Sequence, residues 1–178
     1  MANLQTASLD PVIRQRIIAF VPRLRRFCRG LTRSQDEGDD LLQATVERAL
    51  SRISQWQPGT ALESWMFRIA RNLQINAYRA AAVRGVVVDI DTADEVRAGD
   101  LDAELEQRSE LAAVERAMAA LPLEQREVLV TVVLEGCSYA EAADILEIPI
   151  GTVMSRLARA RGAIRTFIDR PAALETAL

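Results

Sequence analysis

Apolar residues recur every three or four positions along most of the chain. That spacing places side chains on one face of an α-helix, so the pattern predicts helices almost throughout. Val12, Ile13, Ile17, Phe20, Val21, Leu24, Phe27 and Leu31 trace the first, with Pro22 as an expected break or kink. A second opens at Ser34, which stands three residues before Glu37 as in a capping box, and continues through Leu41, Leu42, Val46, Ala49, Leu50 and Ile53. Its polar face holds Asp39, Asp40, Gln43, Glu47 and Arg48. Pro58 and Gly59 mark a turn, and Thr60 with Glu63 repeats the box ahead of a helix running to about Arg79. Leu62, Trp65, Met66, Ile69, Ala70, Leu73 and Ala77 form its apolar stripe, which leaves Arg68, Arg71, Asn72, Asn76 and Arg79 for a partner.

The period lapses between residue 81 and about residue 107, where Gly85 and a Val86-Val87-Val88 run lead into a cluster of acids. This stretch reads as a tether between two helical domains. Charge segregates in the same way. Residues 1–85 hold 13 Arg against 7 acids, residues 86–120 hold 3 against 10, and residues 121–178 hold 6 against 8, so the overall −3 conceals a basic first half and an acidic middle. Beyond the tether the helical spacing returns with Leu111, Val114, Met118 and Leu121. Pro122 sits where another helix would start, and Val128, Leu129, Val132 and Val133 carry it to Gly136.

Composition narrows the function classes. With 49% hydrophobic and 26% charged residues the chain has the balance of a soluble globular protein. No leader-like start and no apolar run long enough to span a bilayer is visible, so a cytoplasmic protein is expected. Cys28 and Cys137 stand far apart without metal-site spacing and are expected to be buried thiols. Histidine is absent, and there is no glycine-rich phosphate loop or paired-carboxylate site, so neither an enzyme nor a cofactor or metal is expected. Lysine is absent too. Every basic group is arginine, whose planar fork suits phosphates and guanine edges, although GC-rich coding accounts for the bias equally well.

The most informative segment follows Gly136. Ser138 and Glu141 form a third capping box before a short helix, Tyr139 to Leu146, and Glu147 to Gly151 make a tight connection into a second. On that second helix Val153, Leu157, Ala160 and Ile164 turn inward, leaving Thr152, Met154, Ser155, Arg156 and Arg159 on or near the other faces. Two short helices with a turn of this length make a helix-turn-helix, whose second helix fits a major groove about 12 Å wide and meets base edges with its first turns.

The residues from Ser138 to Ala143 and from Ile148 to Arg161 resemble region 4 of group 4, or extracytoplasmic-function, sigma factors. Upstream, Asp39-Asp40-Leu41-Leu42-Gln43 and the run from Trp65 to Asn72 are similar to region 2 of the same family. The resemblance implies an all-α fold of two small helical domains joined by a flexible linker. Region 2 would span 1–82, an acidic linker 83–107, region 4 108–170 and a tail 171–178. It implies that Asp39, Asp40, Gln43, Glu47 and Arg48 dock on core RNA polymerase, through its beta and beta-prime subunits. Trp56, Arg68, Arg71, Asn72, Asn76 and Arg79 would bind the minus-10 promoter element as single strand, and Ser138, Tyr139, Thr152, Met154, Ser155, Arg156 and Arg159 the minus-35 element as duplex. It further implies control by an anti-sigma factor, often membrane-bound.

Several residues stay open at this level. Trp65 lies on the apolar stripe and is assigned to the core, Trp56 and Tyr78 either stack on a base or pack, and Arg156 either reads DNA or braces its helix. The chain has alanine at position 44, where many relatives carry glutamate, and Met154 where some have arginine. Two other functions compete. A helix-turn-helix regulator acting without polymerase leaves the Asp40 face without a task, and a sigma-like adaptor that avoids promoters has no need of Arg156, Arg159, Arg161 and Arg165.

Overall fold

The computed structural model describes residues 10–83 and 112–168. Most of the expected tether, Leu111 and the C-terminal tail lie outside the described residues. Among those described, every regular element is helical.

Helix α1 spans Pro11–Leu31, started by the Asp10 carboxylate, which accepts the Val12 amide at 2.8 Å, and by Pro11 in the first turn. Pro22 does not break it as expected: the helix runs through, with Pro22 exposed and Phe20, Leu24 and Phe27 buried on the opposite side. Tertiary packing of that apolar stripe offsets the one hydrogen bond that proline cannot donate. Helix α2, Gln35–Ser51, is capped by Ser34 as expected, but Glu37 accepts the amide of Arg33 in place of the cap's own.

A single tight turn, Ile53–Gln55, then leads to α3, Leu62–Val83. The box expected at Thr60 does not form. Its hydroxyl donates to the Gln57 carbonyl within the preceding turn, and Glu63 turns away to pair with Arg16 at 3.2 Å. The helix also continues past Arg79, the expected end.

In the second half, α4 covers 112–120 and α5 covers Leu123–Leu129. From Val130 to Leu134 the helix widens, the Glu135 amide reaching back five residues to Val130 at 3.0 Å, before Gly136 stops it in the left-handed region at φ +67°. Helix α6, Tyr139–Leu146, carries the expected Ser138–Glu141 box in full. Glu147, left-handed at φ 51°, turns the chain into α7, Ile150–Ile168.

One core runs through both halves. Phe67, which the apolar stripe of α3 had not included, sits at its centre on the α1 side, 4.2 Å from the Phe27 ring centroid and 5.1 Å from that of Phe20. Trp65 packs half-buried against the same core, and Ala77 is exposed. Val153, Leu157 and Ala160 are buried on α7 as the spacing required. Close approach fixes two helix contacts. A Cβ on Gly38 would lie 2.6 Å from the Arg29 Cα, joining α1 to α2. A Cβ on Gly30 would lie 2.8 Å from Val130 Cγ2, joining α1 to the widened turn of the second half.

Polar groups complete this junction. The Arg126 guanidinium, 3% exposed, donates to the carbonyls of Ala119 and Leu121 near the end of α4 and to that of Leu31 at the end of α1. Burial, then the like charge of Arg33, pushes its pKa down to about 10, so it stays cationic at neutral pH and rests on the negative ends of two helices.

Gly38→Ala is expected to drive a methyl into the α1 backbone and destabilise the chain by about 1–3 kcal/mol, seen as a lower denaturant midpoint with unchanged slope. Ser138→Ala is expected to lower the thermal midpoint by about 2–4 °C at neutral pH. The Ser138 hydroxyl, then its backbone amide, holds the Glu141 carboxyl below the usual carboxylate range. A depressed carboxylate contributes stability above its unfolded pKa and loses it as pH falls through the folded one. The difference between wild type and variant should therefore fade in acid.

Candidate nucleic-acid and polymerase interfaces

The polar face of α2 divides into two parts. Asp40, Gln43 and Glu47 recur at three and four residues and are exposed, with the Gln43 amide donating to Glu47 at 3.0 Å; Arg48 is exposed beside them. Asp39 is engaged within the chain. Arg29 reaches it with two donors at 2.7 and 3.0 Å, Arg25 stands at 3.5 Å, and the Arg29 hydrogen bond holds its carboxyl below the usual range. Asp39 therefore ties α2 to α1, leaving Asp40, Gln43 and Glu47 as the exposed acceptors of the stripe.

On α3 the amides Asn72 and Asn76 and the cation Arg79 are exposed. Arg71 is not: its side chain is 13% exposed, donating to Glu127 of α5 at 3.0 Å and standing 4.0 Å from Glu147 in the turn before α7. Arg68 is half-buried, its Nε without a hydrogen-bond partner among the described residues. Trp56 is 8% exposed, packed into the core with the Arg16 guanidinium 5.8 Å above its ring, so here it packs and does not face solvent. Tyr78, half-buried, lines with Arg33, Arg71, Arg79, Glu124 and Arg156 a cleft of about 380 Å³ between the two halves.

In the second half Ser138, Tyr139, Met154, Ser155 and Arg159 are exposed and Thr152 partly so. Thr152, Ser155 and Arg159 recur at three and four residues along the outer side of α7, opposite the buried Val153, Leu157 and Ala160. Arg156 lies inside that face, 3.4 Å from Glu127, in the bracing position that the sequence left open.

The sequence reading missed Glu127 and Glu135. Glu127 is 3% exposed and shared by Arg71 and Arg156; desolvation pushes its carboxyl above the ordinary range, and the two arginines draw it back. Glu135, with no exposed side-chain area, accepts Arg23 at 2.7 Å and Arg26 at 3.2 Å from α1, and Arg23 also donates to its backbone carbonyl. Glu127, Thr131 and Glu135 recur every four residues, which places two acids among the buried positions of an otherwise apolar run. That irregularity was the available signal. Their partners are 29, 56 and 109 to 112 residues distant, beyond any local pattern.

Among the described residues there is no cluster of metal-ligating side chains and no helix long and apolar enough to cross a membrane. Cys28 is buried, its thiol pushed up to about 12 mainly by desolvation.

Comparison with known proteins converges on one family. Residues 111–164 match the family Sigma-70, region 4, and residues 17–71 match the Sigma2 domain of PhyR. The ECF RNA polymerase sigma factor EcfG of Rhodopseudomonas palustris is 37% identical over 162 residues, covering 90% of this chain and 87% of that protein. The sigma factor HrpL of Pseudomonas syringae is 33% identical, covering 88% and 87%. Among solved structures, the sigma factor RpoE of Bartonella quintana, crystallised with the anti-sigma factor NepR, superposes with a TM-score of 0.72 at 26% identity, covering 91% of this chain and 99% of that one. Two family matches in the expected order, a relative above one-third identity over 90% of this chain and a matching fold together place the chain among the ECF RNA polymerase sigma factors of the sigma-70 family, non-enzymatic factors that direct transcription initiation.

Proposed function

We propose that this chain confers promoter specificity on core RNA polymerase through three surfaces. Region 2, ending near residue 82, docks on the enzyme by Asp40, Gln43, Glu47 and Arg48 and reads melted minus-10 strand with Asn72, Asn76 and Arg79, joined by Arg68 and Arg71. Region 4, beginning near residue 108, reads minus-35 duplex with Thr152, Met154, Ser155 and Arg159, while Ser138 and Tyr139 approach phosphates at the start of α6. Asp39 and Trp56 support these surfaces from within, and Arg156 positions α7. The observation that carries this reading is the exposure, on one chain, of an amide-bearing helix suited to unstacked bases and a capped helix-turn-helix suited to an intact groove.

An anti-sigma factor is the proposed regulator, as in the RpoE–NepR complex from Bartonella quintana, and the working compartment is the cytoplasm. The adaptor reading loses its ground because α7 keeps Arg159, Arg161 and Arg165 exposed and because the EcfG and HrpL relatives are sigma factors themselves.

Run-off transcription with purified core polymerase on genomic promoter fragments tests the assignment. Wild type is expected to give discrete starts. Arg159→Ala should weaken duplex binding by holoenzyme about 5- to 150-fold, the range of a base contact worth about 1–3 kcal/mol, or, as a phosphate contact, reduce the salt slope by about one. Asn72→Ala should leave duplex binding intact and reduce strand opening, read by permanganate reactivity. A chain that never directs core enzyme to a start site refutes the assignment.

A further inference from the structure

The outward side of α7 is not uniform. Down its middle run Gly151, Ser155 and Ala158, all exposed, and a Cβ on Gly151 would meet nothing within 4 Å. A helix with so little projecting from its first turns can lie deep in a major groove, its backbone close to the base edges. At about 100° of turn per residue, the two edges of that strip carry different chemistry. One holds Thr152 and Arg159, a hydroxyl and a guanidinium. The other holds Ile150 and Met154, 48% and 53% exposed, four residues apart and therefore neighbours on the helix surface.

A single exposed apolar side chain is ordinary on a protein surface. An adjacent pair on the opening turns of a groove-reading helix is a different matter, because those turns meet base edges. Nearly everything a base pair displays in the major groove is a hydrogen-bond donor or acceptor, and the apolar exception is the 5-methyl group of thymine. An apolar edge on the helix has that group as its complement. We infer that Met154, flanked by Ile150, selects thymine within the minus-35 element by van der Waals contact with its 5-methyl group.

Two further features suit this contact. Arg161 and Arg165 are exposed farther along the same edge, where guanidiniums attract the phosphates of one strand and so hold Met154 beside the bases. Methionine is unbranched, with three rotatable bonds and a polarizable sulfur, so its tip can follow a methyl group along the groove. An arginine at position 154 would seek the O6 and N7 acceptors of guanine. Methionine donates nothing, which leaves Thr152 and Arg159 to read hydrogen-bonding edges and Met154 to read the apolar one.

The methyl contact rests on the promoter-reading function proposed above, so its test keeps the two apart. Duplex promoter fragments that give discrete starts in run-off are remade with deoxyuridine for thymine, one position at a time, on either strand of the minus-35 region. Uracil pairs as thymine does and lacks only the methyl. Affinity is measured at fixed salt for holoenzyme assembled from the full chain and core polymerase. Wild type is expected to lose about fourfold at one or two of these thymines, the worth of one buried methyl, and nothing at the others. Met154→Ala should bind the thymine duplex about fourfold more weakly and no longer distinguish it from the uracil duplex. Met154→Gln, similar in length but polar, should be equally indifferent, whereas Met154→Leu should keep the preference. Wild-type holoenzyme indifferent to every thymine of the element, or Met154→Ala that keeps the uracil sensitivity, would overturn the methyl contact. So would Met154→Ala that lowers run-off with DNA affinity unchanged, because that edge would then face polymerase. Absence of run-off by wild type would instead overturn the sigma function.

Discussion

A buried carboxylate cannot stay charged without donors, and Glu127 finds one in each half of the chain. Arg71 approaches from α3 and Arg156 from α7, so a single acidic group in α5 connects the helix assigned to melted strand with the helix assigned to duplex. Removing water from the carboxylate raises its pKa, and the arginines recover only part of that cost. Such a pair adds little net stability but strongly disfavours any arrangement that leaves one partner alone. It specifies geometry. Glu135 does the same with Arg23 and Arg26, and Arg126 performs the converse, a buried cation whose two terminal nitrogens donate to the carbonyl ends of two helices in place of an acid.

Much of the fold was legible because local chemistry decides it. The Ser138–Glu141 box, the stop at Gly136 and the inward stripe Val153, Leu157 and Ala160 depend on neighbours within one or two turns, and sequence spacing states them directly. The failures share a cause. Pro22 remains within α1 because tertiary packing outweighs a lost hydrogen bond, Thr60 forgoes its box because Glu63 has Arg16 to bind, and Phe67 is central because α1 supplies two rings. Each outcome was settled by a group distant in sequence.

The candidate sites divide along the same line. Exposure of Asn72, Asn76, Ser155 and Arg159 follows from their place opposite an apolar stripe, so periodicity was sufficient. Asp39, Arg71 and Arg156 are equally polar and equally well placed on a helical wheel, and are engaged by other groups of the chain. A helical wheel shows which side of a helix is polar. It does not show which polar groups the rest of the chain has already taken.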